Sequence, residues 1–327
     1  MDFTKSLLKL AQKCNKTIVF PEAAYSDRTI KAVRYLRKHH ICDVILIGDE
    51  SSIIMQHKKL KNFKIINPKT FSRTKELAEA LFESRKHKGM TQEEADELIL
   101  DPYYFSTMLV KFGYADGMIG GAEVSTARNI KPALQLLKAE TDDFVNSYTI
   151  LCGDNIEEPL FLADCGLCVN PTDNQLAIIA ERVCGEMKRF TELEPKVAFL
   201  SYSTNGSAQS DLTSKVKSAY NKFKSSNNNI MCQGEIQLDS ALVLDIAKIK
   251  LGDNAEYYGK NNVLIFPDLN SANICYKAIS YFGKLYAIGP ITVGLEKPVN
   301  DLSRGCTVWD IIYLTAITVL QCNKEKQ

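Results

Sequence analysis

Short apolar runs alternate with longer segments of helical period along this chain, and that rhythm constrains its fold more than any other feature. Residues 17–20 precede a helical pattern over 28–38, residues 44–48 precede a polar stretch, and 63–66 precede a helical pattern over 72–86. In the second half, the apolar run 160–163 leads to a helix predicted to open at Thr172 or Asp173, with Leu176, Ile179, Val183 and Met187 on one face. Runs at 197–201, 263–266 and 285–288 continue the series. Strands followed by amphipathic helices bury each other as βα units around a mostly parallel sheet. At 327 residues the chain favours two domains over one. It has no internal repeat, and Ser225-Ser226-Asn227-Asn228-Asn229 reads as a single exposed loop.

Lys and Arg number 40 against 39 Asp and Glu, a net charge of +1 without a single-sign tail. That balance offers no broad basic surface for a nucleic acid, although a small anion needs only a local basic pocket. The first ten residues alternate polar and apolar at helical spacing and lack the uninterrupted apolar core of a signal peptide. No run reaches the roughly 18 apolar residues that a membrane helix requires. The expectation is a soluble cytoplasmic protein. Ten irregularly spaced cysteines fit reduced thiols packed as small hydrophobes. Cys165 and Cys168 form the one close pair, but no second pair completes a zinc set and the pair adjoins the run 160–163, so no metal is expected.

Near the tail, Asn300-Asp301-Leu302-Ser303-Arg304-Gly305-Cys306 precedes Asp310. A hydroxyl donor, a fixed cation and a carboxylate at a glycine-hinged turn into a helix suit acyl transfer involving a phosphate. The same letters have a structural reading. Thr307 and Asp310, ahead of the apolar residues 311–314, form a capping-box-like start in which Asp310 serves only a backbone amide. The local pattern leaves both readings open.

The stretch Lys297-Pro298-Val299-Asn300-Asp301-Leu302-Ser303-Arg304-Gly305 resembles the C-terminal signature of phosphate acetyltransferases. Further blocks resemble that family in its order: Ile18-Val19-Phe20-Pro21-Glu22 with Asp27-Arg28, Ala115-Asp116-Gly117-Met118, Pro132-Ala133-Leu134-Gln135, Asp164-Cys165 with Asn170-Pro171-Thr172, Leu200-Ser201-Tyr202-Ser203-Thr204, and Asn262-Val263-Leu264-Ile265-Phe266-Pro267-Asp268-Leu269-Asn270. The resemblance covers essentially the whole chain. It implies two three-layer α/β/α domains with a cleft between them, similar to isocitrate and isopropylmalate dehydrogenases. Residues 1–142 and 297–327 would form a discontinuous first domain and 143–296 the second. The polar break Thr141-Asp142-Asp143 marks the expected first crossing, and Glu296-Lys297-Pro298 the return. Ser303, Arg304 and Asp310 would then line the cleft.

The activity implied is reversible acetyl transfer between coenzyme A and inorganic phosphate in a ternary complex. Coenzyme A is then a substrate, no cofactor is permanently bound, and a homodimer is expected. Similarity assigns Asp310 as the base for the thiol, Ser303 as donor to the carbonyl oxygen, and Arg304 as the group that binds the acyl phosphate. The fork of Arg304 suits two phosphate oxygens at once. Asp310 is the harder case, because an ordinary aspartate near pKa 4 is a weak base for a thiol near 8.5.

Ser203, Thr204 and Ser207 lie in a hydroxyl-rich segment matching a block along the family's cleft, and are assigned to phosphate or acyl phosphate. Arg85, in the charge run 85–88, falls where the family carries an arginine implicated in coenzyme A binding. Lys131 replaces a second such arginine and loses its bidentate fork. Arg128, one turn earlier, is the expected compensation. Asn170, Asp268, Asn270, Asn300 and Asp301 are expected to brace these loops.

Three rivals differ in testable ways. They are a butyryl-type acyltransferase, a non-catalytic acetyl-CoA sensor, and a decarboxylating dehydrogenase supported by shared fold alone. With all four histidines in the first quarter of the chain, no Ser/His/Asp arrangement is indicated, and Cys306 near the helix start is the alternative nucleophile.

Overall fold

The computed structural model describes residues 3–138, 144–252, 257 and 259–323. The chain divides into two compact units, Phe3–Val145 with Gly289–Gln327, and Asn146–Ile288.

The first unit contains α1 (Phe3–Ala11), β1 (Thr17–Phe20), α2 (Asp27–Lys38), β2 (Asp43–Ile47), α3 (Glu50–Gln56), β3 (Lys64–Ile66), α4 (Thr74–Arg85), α5 (Gln92–Leu98), α6 (Pro102–Lys111), β4 (Gly117–Gly120) and α7 (Thr126–Leu136). The second contains β5 (Asn146–Cys152), β6 (Leu160–Ala163), α8 (Asp173–Phe190), β7 (Lys196–Leu200), α9 (Asp211–Ser226), β8 (Met231–Ile236), α10 (Leu238–Leu242), α11 (Leu244–Leu251), β9 (Val263–Ile265) and α12 (Leu269–Gly283). Then β10 (Tyr286–Val293) carries the chain back to the first unit, which β11 (Val299–Asp301) and α13 (Val308–Gln321) complete.

The first sheet runs in the order β11-β4-β1-β2-β3, all its pairs parallel. Its strands read as nearly continuous apolar runs because helices cover both faces. On one face α13 packs against α1, α2 and β4; on the other, α6 packs against α4, α7 and β4. Every residue of α13 from Ile311 to Gln321 is buried, which explains why this segment is apolar all round rather than striped. Strand order reverses direction at β1, whose neighbours are β2 on one side and β4 on the other. Such a switch point opens a crevice at the carboxyl ends of the strands.

The second sheet has the order β10-β5-β6-β9-β7-β8. The pair β5 and β6 is antiparallel, whereas β6, β9, β7 and β8 are parallel. Helices α8 and α9 pack against β6, β9, β7 and β8, α10 against β7 and β8, and α12 against β5 and β6, with α11 packed on α10. Leu176, Ile179, Val183 and Met187 of α8 are buried, as their spacing predicts.

Some expectations change. The polar stretch after β2 contains α3, which Asp49 caps through Ser52 N–H, a local signal outweighed in the sequence by the lack of an apolar face. The first crossing expected at Thr141-Asp142-Asp143 lies outside the described residues. The units part at Gly289, ahead of Glu296-Lys297-Pro298, because β10 runs unbroken through the junction and leaves no polar break to read. Leu295 and Glu296 instead lie beside Lys138 and Leu137, where Glu296 N–H donates to Leu137 O at 2.8 Å.

Asn300 and Asp301 fix the end of β11. Asn300 Oδ1 accepts Thr292 N–H at 2.7 Å, and its amide donates to Thr318 and Gln321, both at 2.8 Å. Asp301, 2 % exposed, accepts from Thr126 Oγ1 at 2.6 Å and Asn129 Nδ2 at 2.9 Å. Gly121, at φ +97°, passes so close that an added Cβ would sit 2.2 Å from Asp301 Oδ1 and 2.8 Å from Leu302 N.

Burial is the chief reason that the Asp301 carboxyl rises from 3.8 to about 6, with nearby Glu22 adding to it and the Thr126 and Asn129 bonds opposing it. A raised folded-state value means that the contribution to stability is present below the unfolded value near 4 and is lost as pH rises through about 6. Urea unfolding between pH 4 and 7 should show a loss on the order of 3 kcal/mol from this group, absent in Asp301→Asn. Equal pH slopes for the two proteins would remove Asp301 as its source. Gly121→Ala should lower stability by about 1–3 kcal/mol through its left-handed φ and the clash with residues 301 and 302. An unchanged urea midpoint would show that this loop yields freely.

Candidate active site

The carboxyl ends of β1, β4 and β11 present three loops at one end of the first sheet, residues 21–26, 121–125 and 302–306. Buried Glu22 organises the middle loop. Its Oε1 accepts N–H groups from Gly121 at 2.9 Å and Glu123 at 3.2 Å, its Oε2 accepts Ala122 N–H at 3.0 Å, and Tyr103 donates to Oε1 at 2.8 Å.

Arg28 joins the loops. Ser26 caps α2, whose first turn carries Arg28. The Nη1 group of Arg28 donates to the backbone oxygens of Arg304 and Cys306, both at 2.8 Å. Its Nη2 donates to Ala122 O at 2.6 Å and to Glu123 Oε1 at 2.9 Å. Leu302 N–H donates to Gly120 O at 2.8 Å, and Cys306 N–H closes the turn on Ser303 O at 2.8 Å. The turn is therefore held largely through its backbone.

Ser303 and Arg304 are exposed and Asp310 is half-buried. Ser303 Oγ accepts Gly305 N–H at 3.3 Å, leaving its own proton to donate. The Arg304 guanidinium makes no ion pair among the described residues. Asp310 does complete the capping box of α13, accepting from Thr307 N at 2.7 Å and Thr307 Oγ1 at 2.9 Å. Both bonds fall on Oδ2, so Oδ1 has no protein partner among the described residues. The two sequence readings are thus compatible, because the cap occupies half of the carboxylate.

Cys306, 7 % exposed, is a poor nucleophile. Burial, opposed by Arg28 and reinforced by Asp310, pushes its thiol up to about 11, and a protonated thiol does not attack. Cys165 and Cys168 flank a loop gathered on buried Asp164, which accepts N–H groups from Gly166 at 2.8 Å, Leu167 at 3.0 Å and Cys168 at 3.1 Å. Burial first, and Asp164 second, raise both thiols, that of Cys168 to about 12.

Arg85 and Lys131 share one groove. With Lys88, Gly89, Met90, Leu98, Tyr104 and Gln135 they line a groove of 530 Å³ in the first unit. Glu94, Glu97 and Asp101 supply its acidic wall. Arg128 does not line the groove. Its guanidinium pairs with Asp101 at 3.1 Å and lies 5.6 Å from the Tyr103 ring centroid. Asp101 is itself a wall of the groove, so the pair holds Arg128 at its margin.

In the second unit, the hydroxyl-rich loop after β7 differs from the expected cradle of available donors. Ser203 is fully buried, and its Oγ donates to Glu235 Oε1 at 3.0 Å and accepts Ala208 N–H at 3.1 Å. Thr204 is 5 % exposed and exchanges bonds with Gln237. Gly206 N–H donates to Glu235 Oε1 at 2.6 Å. A carboxylate from the neighbouring strand thus takes the donors that an anion would use, and only Ser207 of the three assigned side chains is exposed. Asn170 accepts from Lys215 Nζ at 2.9 Å and Asp268 caps α12 through Ser271 N–H; the Asn270 side chain makes no hydrogen bond among the described residues.

Arg28, Glu22 and Glu235 are the residues that sequence reasoning left without a role. Arg28 and Glu22 had one signal, their place in the block 18–22 with Asp27-Arg28 that resembles the family.

A family model described as phosphate acetyl/butaryl transferase matches residues 2–319. The phosphate acetyltransferase of Acetivibrio thermocellus is 41 % identical over 100 % of both chains. That of Clostridium acetobutylicum is 38 % identical over 99 % of each. A phosphotransacetylase structure from Streptococcus pyogenes superposes with a TM-score of 0.91 at 36 % identity, covering 99 % of this chain and 98 % of that one. With an almost end-to-end family match and relatives aligned over their full length, the chain belongs to the phosphate acetyl/butaryl transferase family.

Proposed function

We propose that this protein reversibly transfers an acetyl group between coenzyme A and inorganic phosphate, and that Ser303, Arg304 and Asp310 carry the chemistry. The observation that bears most weight is the turn held by Arg28, which frees a hydroxyl proton, a guanidinium and one carboxylate oxygen on adjacent stretches of chain.

From acetyl phosphate, Arg304 binds the phosphoryl oxygens through its planar fork and balances the charge of the leaving phosphate. Asp310 Oδ1 takes the proton of the coenzyme A thiol, and the sulfur attacks the carbonyl carbon. Charge builds on the carbonyl oxygen, towards which Ser303 donates, a contribution of roughly 2.7–4 kcal/mol for a well-aimed donor. The carbon–oxygen bond to phosphate then breaks, giving acetyl-CoA and phosphate. The protonated thiol of buried Cys306 favours this direct attack over an acyl-cysteine.

Coenzyme A enters as a substrate rather than a resident cofactor. Its phosphates are assigned to Arg85 and Lys131, which make no ion pair among the described residues. In the second unit, Ser207 is assigned to phosphate, with Ser203 and Thr204 shaping its loop. A cytoplasmic location is supported by ten cysteines in the thiol form; no helix among the described residues is long and apolar enough to cross a membrane. A homodimer is supported by α12, where Ile274 is 68 %, Tyr281 83 % and Phe282 89 % exposed.

The test is thiol release from acetyl-CoA with and without phosphate, with butyryl-CoA as the measure of acyl range. Arg304→Ala should lower phosphate-dependent turnover by about 100-fold or more, and Asp310→Asn should lower kcat while leaving the thermal midpoint near that of the parent. Near-normal turnover in either folded variant would overturn its role. Lys131→Arg should lower the KM for coenzyme A by restoring the fork, with kcat little changed; an unaltered KM would place Lys131 away from the phosphates.

A further inference from the structure

The first unit holds a second groove, of 730 Å³, lined by Lys31, Arg34, Arg37, Lys38, His40 and Lys59 with Tyr35, Asn62 and Phe63. No carboxylate lines it. In a chain with a net charge of +1, five fixed cations on one small concavity are a marked local excess.

Helix geometry accounts for only part of it. Arg37 and Lys38 lie in the last turn of α2, where cations favourably meet the helix dipole. Lys31 and Arg34 lie earlier, and Lys59 comes from another segment. Lys31, Arg34 and Lys38 fall three or four residues apart on one helix face, a spacing at which like charges repel. None of Lys31, Arg34, Lys38 or Lys59 makes an ion pair among the described residues. Arg37 is held flat, its guanidinium 4.6 Å from the Phe63 ring centroid and bonded to Asn62 O.

We propose that this groove is a binding site for a small ligand bearing two or more linked phosphates, distinct from the orthophosphate substrate. Its volume falls in the range of small-molecule sites. Cations on two segments match a chain of phosphates, which a single phosphate cannot span. Tyr35 and Phe63 give the groove aromatic surface; Arg37 covers one face of Phe63 and His39 packs on one of Tyr35, so a nucleotide base would stack on what remains. Tyr35 also lies 5.2 Å from Trp309, the chain's single tryptophan, which stacks on Tyr313 at 5.5 Å. Occupancy is therefore readable from intrinsic fluorescence.

The experiment titrates the intact protein with inorganic triphosphate, ATP and orthophosphate, followed by calorimetry and Trp309 fluorescence. Triphosphate and ATP should bind and orthophosphate should bind at least about tenfold more weakly at the groove, with affinity falling as salt rises. Tighter ATP than triphosphate identifies a nucleotide; equal affinities identify the phosphate chain alone. The variant combining Lys31→Gln, Arg34→Gln and Lys59→Gln should lose at least about tenfold in triphosphate affinity while keeping acetyl transfer, whereas Arg304→Ala should keep triphosphate binding. If the triple variant does not fold, Lys59→Gln alone must still weaken binding by about threefold. No triphosphate binding, undiminished binding in the groove variant, or loss of binding in Arg304→Ala would overturn the proposal.

Discussion

One guanidinium holds the candidate active site together. Arg28 reaches from the start of α2 to backbone oxygens on the loops after β4 and β11. Carbonyls at strand ends have run out of ladder partners, and leaving them unpaired is costly where they are shielded from water. A planar fork satisfies several at fixed angles, which a lysine ammonium cannot do in the same geometry. Because the backbone is tied in this way, Ser303, Arg304 and Asp310 need spend little of their bonding capacity on holding their own turn.

Buried carboxylates do comparable work throughout both units. Glu22, Asp164 and Glu235 each accept loop N–H groups at the carboxyl end of a strand. Parallel sheets gather many unpaired amides at that end, and an internal anion is a compact way to satisfy them. The same device explains why the loop after β7 looked like an anion cradle in sequence: its composition is that of a nest, already filled from within.

Where periodicity ruled, the sequence was legible. The run 160–163 is β6, and the buried face of α8 follows its apolar spacing, since both depend on neighbours in the chain. Asp310 shows the limit of local reading: one side chain serves the cap with one oxygen and leaves the other available, and spacing cannot divide the two. The pairing of Arg128 with Asp101, 27 residues away in sequence, was likewise hidden. The directions of the Ser203 and Thr204 hydroxyls were equally hidden, being set by Glu235 on the next strand and by Gln237 just beyond it. Lys31, Arg34 and Lys59 become a single surface only after β2 and its following turns bring their segments together.

The first unit is interrupted in sequence, since β11 and α13 return to it only after the second unit is complete. Helix α13 fills one side of that unit's interior, so residues 3–138 lack a buried wall until α13 has been made. During synthesis the inserted unit is therefore the first to have all of its own sequence at hand. The turn bearing Ser303 and Arg304 arrives with the same segment that closes the older half, so the candidate site and the interior of that unit are completed together.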